Sequence, residues 1–197
     1  MIYLASNSPR RSELLTLMGI DHSILMPEDG SEAIDETPLA GEIPLSYTER
    51  LAQAKALAGW QRLERTLLPP HPVLAADTTV TIEGQILGKP ANESEAAHML
   101  QQLSGTMHRV ITAVAMIYQP MLECRISITR VWFRPLSDRD IRIFTDTGEY
   151  RDKAGGYGIQ GHAARFIERI DGSPSGVMGL PLFETDQLLT LFGRGVQ

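Results

Sequence analysis

Short apolar runs alternate with amphipathic stretches along the whole of this 197-residue chain. Ile2–Ala5 is an uninterrupted apolar run and reads as a buried strand. Pro9–Met18 follows with helical spacing, Ser8 in the N-cap position, Pro9 at the first helical position and Gly19 closing it. His22–Met26 reads as a second strand. Ser46-x-x-Glu49 is a capping-box pattern that predicts an alanine- and leucine-rich helix to about Leu67, stopped by the PPHP run at 69–72. Val73–Ala76 and Thr78–Glu83 predict strand, with Asp77 at the tip of the first run and Glu83-Gly84 as a hairpin turn. Asn92-x-x-Glu95 opens another helix that ends near Gly105. Arg109–Tyr118 and Glu123–Phe133 read as long paired strands joined around Pro120. Ser137-x-x-Asp140 starts a helix ending at Gly148, Ala164–Ile170 predicts a strand, and Pro181–Phe192 a last helix. Strands and helices are mixed throughout, with no internal repeat. The expected architecture is α/β, a mixed sheet flanked by helices in a single domain over 1–197.

Between these elements lies one long acidic stretch. Pro27 to Glu49 holds seven acids, three prolines and neither lysine nor arginine, and reads as a loop long enough to be functional. The formal net charge of −6 argues against a general nucleic-acid binder, without excluding a small polyanion that needs only local positive charge. No apolar run reaches the length of a membrane span, and the N-terminus does not look like a signal peptide. The single cysteine, Cys124, excludes an internal disulfide framework and is expected to pack inertly. A cytoplasmic protein is expected.

The local chemistry is more specific. Arg10 and Arg11 fall in the first turn of a predicted helix, where exposed N–H groups already carry partial positive charge. An anion resolves that conflict: Ser6, Ser8 and two guanidinium forks would converge on a phosphate chain. Arginines turned to solvent or paired with the acidic loop are the bland alternative. Only three of the 18 basic residues are lysines, Lys55, Lys89 and Lys153, and each is flanked by small or turn-forming residues that let an ammonium approach a ligand. Asp77 at the end of the apolar run VLAA is costly unless paired or metal-bound, and could accept a proton from an attacking water. Asp35 and Glu36 could be further metal ligands or a solvated charge pair. The segment 149–161, EYRDKAGGYGIQG, combines Asp152, Lys153 and Gln160 with four glycines. His108, on the strand shared with Thr112, reads as a hydrogen-bonded structural residue rather than a base. Neither HExxH nor a Walker A pattern occurs.

In order along the chain, LASNSPRR, Asp35-Glu36, RLAQAKA, AADTTV, LGKP, LSGTMHRVIT, DKAGGYGIQG and GLPLFET resemble the motifs of the Maf-family nucleotide pyrophosphatases, from about Leu4 to Leu188. The resemblance implies a fold related to inosine triphosphate pyrophosphatases, an elongated mixed sheet with two lobes around a central cleft. It implies hydrolysis of a nucleoside triphosphate between the α and β phosphates, a divalent metal (Mg2+ or Mn2+), Asp77 as proton acceptor, and Arg10, Thr78 and Gln160 as determinants of substrate choice. Glu36 and Asp77 would hold the metal, and Ser6, Ser8, Arg11, Lys55, Lys89 and Lys153 the phosphates. The wording of the glycine-rich segment resembles the dTTP/UTP subgroup, with modified pyrimidine nucleotides as further candidates. Gln160 suits it, because one amide offers a donor and an acceptor to the imide edge of uracil or thymine. The alternatives are a 7-methyl-GTP pyrophosphatase and a non-catalytic nucleotide-binding regulator of septum formation. Related proteins imply a homodimer.

Overall fold

The computed structural model describes residues 1–27 and 34–193. The acidic run over 28–33 therefore lies outside the described residues. The elements are β1 (Ile2–Leu4), α1 (Pro9–Leu17), β2 (His22–Ile24), α2 (Pro44–Glu64), β3 (Val73–Ile82), β4 (Gln85–Leu87), α3 (Glu93–Leu103), β5 (Met107–Tyr118), β6 (Met121–Phe133), α4 (Asp138–Asp146), β7 (Ile167–Asp171), α5 (Pro174–Met178) and α6 (Leu182–Gly193). Strand order in the mixed sheet is β2-β1-β3-β5-β6-β7, with β4 also on β3; β1 runs parallel to β2 and β3, and all other pairs are antiparallel. The α/β architecture with a mixed, helix-flanked sheet is thus as expected.

The sheet is split along one edge of β3. On its other edge β3 pairs with β5 continuously, from Val73↔Ile117 to Thr81↔Arg109. On the split edge β1 reaches only Tyr3↔Val73 and Leu4↔Leu74, and β4 joins only from Val80↔Leu87. Among the described residues, no strand lies beside β3 between Leu74 and Val80 on that edge. This gap is the floor of a cleft, and the two lobes are the sheet halves on either side of it. One lobe packs α2 against one sheet face through Ala52, Ala56, Trp60 and Leu63, and α1 and α6 against the other through Leu14, Leu15, Leu188 and Phe192. The second lobe packs α3 and α4 over the far end of the sheet around Phe133, Phe144 and Phe166.

Local signals explain most element boundaries, and the misses have causes. The Ser137/Asp140 capping box closes in both directions. Asn92 accepts from Glu95 N–H at 2.9 Å, but the Glu95 carboxylate turns to Ala91 N–H at 2.8 Å. The Ser46/Glu49 box does not form. The helix starts earlier at Pro44, whose fixed φ suits the first helical position, and Ser46 lies inside its first turn. The acidic loop is shorter by that much. The last strand begins at Ile167 rather than 164, because Ala163 and Phe166, three apart and both fully buried, are held by a 3-10 turn over His162–Phe166. Helix α5 escapes the periodicity reading because it has only five residues, although Ser173 caps it and Gly179 ends it. Asp77 is not at a strand tip. It sits in the middle of β3, which runs through it unbroken.

Cys124 packs in the cluster beneath α2, where burial pushes its thiol up to about 11. No helix among the described residues is long and apolar enough to cross a membrane.

Small residues set how closely α2 approaches the sheet. A Cβ on Gly59 would lie 2.8 Å from both Ala5 Cβ and Val73 Cγ1. Gly59→Ala should therefore destabilise the protein by about 1–2 kcal/mol, since the overpacking outweighs the gain of about 1 kcal/mol in helix propensity. Urea denaturation checks this; an unchanged or raised midpoint would show that the helix can shift without cost.

Candidate active site

The cleft is a cavity of about 750 Å³, of a size that suits a nucleotide. Its walls come from the loop after β1, one face of α2 from Tyr47 to Arg62, the middle of β3, the β4 hairpin and segment 151–160. Alternation along β3 sends neighbouring residues to opposite faces. Asp77 faces α2, where Lys55 waits; Thr78 faces α1 and α5.

Asp77 is 7 % exposed. Its Oδ1 accepts from Lys55 Nζ at 2.6 Å, and the same Nζ lies 2.6 Å from Glu36 Oε1. Two carboxylates from distant parts of the chain thus share one ammonium. Burial acts to raise the Glu36 carboxyl, but the hydrogen bond from Lys55 and the charges of Lys55, Lys89 and Arg11 outweigh it and hold it below its ordinary value. Tyr47, two turns before Lys55 on α2, donates to the Glu36 carbonyl at 2.9 Å and fixes the end of the acidic segment. Burial, then the charges of Asp77 and Glu36, raise its phenol. Sequence reasoning missed Tyr47, although the spacing 47-51-55 puts it on the helix face that carries Lys55. Asp35 and Glu36 do not act as a pair: Asp35 is exposed and accepts from Thr37 N–H at 2.9 Å.

The opposite wall is cationic. Arg11 donates from Nε to Gly179 O at 2.9 Å, from Nη1 to Ser6 Oγ at 2.9 Å and from Nη2 to Thr78 Oγ1 at 3.4 Å. Much of its fork is therefore spent on joining α1, β3 and α5, with two donors left for a ligand. Its guanidinium is lowered by burial and by Arg10, with Asp77 and Glu36 offsetting part of this. Arg10 lines the cavity with a buried Nε that has no hydrogen-bond partner among the described residues. Ser8 is the N-cap of α1, but its hydroxyl makes no capping bond, and Ser6 Oγ accepts from Ser8 N–H at 3.2 Å. Thr112 donates to Gly176 O at 2.7 Å, which leaves its lone pairs to the Thr78 hydroxyl at 3.0 Å.

Lys89 and Lys153 complete the wall, so all three lysines of the chain border one cavity. Lys153 is lowered by burial and then by Arg10, with Glu149 and Asp152 working the other way. Asp152, at φ 59, takes a left-handed backbone conformation immediately before it. Gln160 is exposed at the rim. Ser6, Ser8, Arg10, Arg11, Glu36, Lys55, Asp77, Thr78, Lys89, Lys153 and Gln160 all border the same space. So do Met26, Val177 and Met178, which carried no motif signal, and Arg151 of the glycine-rich segment.

His108 stands behind this wall. It is 1 % exposed, its Nε2 lies 2.6 Å from the Tyr157 hydroxyl, and Tyr157 borders the cavity. This is the structural role expected of it.

Over a split mixed sheet, this α/β protein thus gathers arginines and lysines beside two carboxylates that share one ammonium in a single cavity. The chain belongs to the Maf family: the model for Maf-like proteins matches residues 1–192. A dTTP/UTP pyrophosphatase of Aromatoleum aromaticum is 56 % identical over 98 % of this chain and 95 % of its own length. One of Nitrosomonas europaea with the same description is 51 % identical over 99 % and 96 %. The fold is also similar to the solved Ham1 protein of Staphylococcus aureus, with TM-score 0.52 and 14 % identity over 100 % of this chain and 99 % of that one, a likeness of fold alone.

Burial holds His108 down to about 4, against an ordinary 6.5. The unfolded chain therefore takes up the proton first as pH falls. The contribution is complete above about 6.5 and is lost towards pH 4, about 3 kcal/mol in all. Thermal melts of wild type and His108→Phe at pH 7 and pH 4 test this. The acid-induced loss should be smaller in the variant by roughly that amount, and equal losses would exclude His108 as the titrating group.

Proposed function

We propose that this protein hydrolyses dTTP and UTP to the nucleoside monophosphate and pyrophosphate. The observation that carries the reading is the opposition across one cavity of Asp77, held on Oδ1 by Lys55, and the cations Arg10, Arg11, Lys89 and Lys153. A chain half identical over its full length to proteins described as dTTP/UTP pyrophosphatases supports the same substrates.

The triphosphate would lie along the cationic wall. Arg10 Nε, buried without a hydrogen-bond partner among the described residues, gains an acceptor there, and the repulsion of Arg10 with Arg11 and with Lys153 is relieved. Lys55 engages only one oxygen of Asp77, leaving Oδ2 to take the proton of a water. That water attacks the α-phosphorus, the bond from it to the bridging oxygen breaks, and pyrophosphate leaves with its added charge met by Lys89, Lys153 and the arginines. At the rim, the Gln160 amide can pair with the imide edge of the base. Arg10 and Thr78 would narrow the choice further.

A divalent cation fits this donor set. Glu36 and Asp77 already converge on one positive charge at 2.6 Å each, and Mg2+ is commonly held by one or two carboxylates with phosphate oxygens and water. No group of three or more His, Cys, Asp or Glu that could hold a metal is present among the described residues, so substrate oxygens would have to complete the shell. When bound, the ion would neutralise phosphate charge and acidify water.

Pyrophosphate release should be measured with purified protein, Mg2+ or Mn2+, and a panel of triphosphates including dTTP, UTP, dCTP, GTP and 7-methyl-GTP. dTTP and UTP should be preferred; turnover of 7-methyl-GTP alone, or tight binding without turnover, would replace this reading by a different substrate or by a regulator. Asp77→Asn should lower kcat by about 10²–10⁴ with an unchanged melting temperature. Chelation with EDTA should abolish activity and added metal restore it. Activity persisting in EDTA would remove the metal from the mechanism.

A further inference from the structure

Segment 149–162 carries two groups of opposite purpose, Lys153 for phosphate and Gln160 for the base, and something must set their spacing. Its middle is pinned to the body of the protein: Gly155 N–H donates to Gly88 O at 2.9 Å, and Tyr157 meets the buried His108. Its ends are joined by one residue. The Glu149 carboxylate accepts from His162 N–H at 3.0 Å through Oε2 and meets His162 Nδ1 at 2.5 Å through Oε1. The Glu149 carbonyl accepts from Lys153 Nζ. Gly161, between Gln160 and His162, has φ +100, and a Cβ there would lie 2.6 Å from Glu149 Oε2. Only glycine lets the carboxylate come this close while the backbone keeps that conformation. The stem of Lys153 in turn lies against Gly158, whose Cβ would be 3.2 Å from Lys153 Cδ and Cε.

Neither Glu149 nor His162 borders the cavity, whereas residues 151–154 and 157–160 between them do. We infer that Glu149 is a positioning residue: its carboxylate clasps His162 and so fixes both the turn that presents Gln160 to the base and its own backbone carbonyl, which holds Lys153 toward the phosphates, without touching either ligand group. The inference rests on the reading of this site as a dTTP/UTP pyrophosphatase. Because Gly88 and His108 hold the middle of the segment independently, opening the clasp frees its two ends and leaves the fold standing.

Glu149→Ala separates this role from general destabilisation. With the wild type measured alongside, KM for dTTP should rise about tenfold, the loss of hydrogen bonds to a charged group, with kcat within about twofold. The preference for dTTP over dCTP should fall by a similar factor, which a merely structural defect would not produce. Glu149→Gln retains an acceptor for His162 N–H and should recover part of both effects. Gly161→Ala, which pushes the carboxylate away from the other side, should reproduce Glu149→Ala. Glu149→Ala/His162→Ala should be no worse than Glu149→Ala, because the two residues act as one unit. Tryptic cleavage after Arg151 and Lys153 should accelerate in Glu149→Ala at unchanged melting temperature, a readout that needs no substrate. A lowered kcat with unchanged KM and base preference, or unchanged kinetics together with unchanged cleavage, would overturn the positioning role. Failure of the wild type to release pyrophosphate from either nucleotide would overturn the activity instead, and the cleavage rates would still decide whether the clasp exists.

Discussion

A carboxylate in the middle of a buried strand costs several kcal/mol unless its charge is answered. Asp77 is such a group, and the answer comes from Lys55 on a helix crossing the face of the sheet. For that ammonium to reach, α2 must lie close to β1 and β3, and the small face of Ala52, Ala56 and Gly59 allows it. For Asp77 to be of any use it must also meet solvent, and the gap between β1 and β4 provides the opening. Helix packing, sheet topology and the acid group are thus one constraint seen at three levels. Glu36 joins the arrangement because Lys55 has a second contact to give, and Tyr47 holds its backbone in range.

The charge pattern around that pair decides what the cleft can receive. The protein as a whole carries a formal charge of −6, so a polyanion is not drawn to it by net charge. The cleft reverses the sign locally by placing Arg10 close enough to Arg11 and Lys153 to help lower both, with Arg10 Nε left without a hydrogen-bond partner among the described residues. Protein acids could have neutralised these cations, but of the acids that border the cavity Glu36 and Asp77 are engaged with Lys55, and Asp152 offsets only part of the shift at Lys153. What remains is an excess of positive charge with a defined extent, and a chain of phosphates is an economical match for it.

Much of this was legible in the residues, for reasons that differ by position. The conflict of two arginines in a helix first turn, and the survival of lysine at only three positions, each pointed to the cleft, and all of these residues do border it. Their signal was chemical, a residue type out of place in its local setting. What the sequence hid was mostly long-range. The misjudged place of Asp77 in β3 arose because a strand carrying an acid reads as a strand that ends there, while Lys55, 22 residues earlier, cannot be paired with it by spacing alone. The Ser46 box failed because a proline two residues upstream offered a better start. Tyr47, Met26, Val177 and Met178 border the cavity without any local oddity, since ordinary helix and loop residues become site residues only through the packing of distant elements.

The two ends of the cleft are built by opposite means. The end lined by Arg10, Arg11 and Lys55 rests on α1, α2 and β3, where regular backbone hydrogen bonding holds the elements and Arg11 ties α1, β3 and α5 together. The end near Gln160 is a loop, and a loop holds a side chain only as well as its own fastenings allow. Here there are fastenings at both levels: Tyr157 on His108 and Gly155 on Gly88 in the middle, Glu149 on His162 at the ends. Glycines at 155 and 161 make the close contacts possible, one against Val80 and one against Glu149. A polyphosphate is gripped by many charges and tolerates small displacements of any one of them. A base read by a single amide does not, because a hydrogen-bonded pair loses most of its strength with a small change in distance or angle. The loop that carries Gln160 is fastened both in its middle and at its ends.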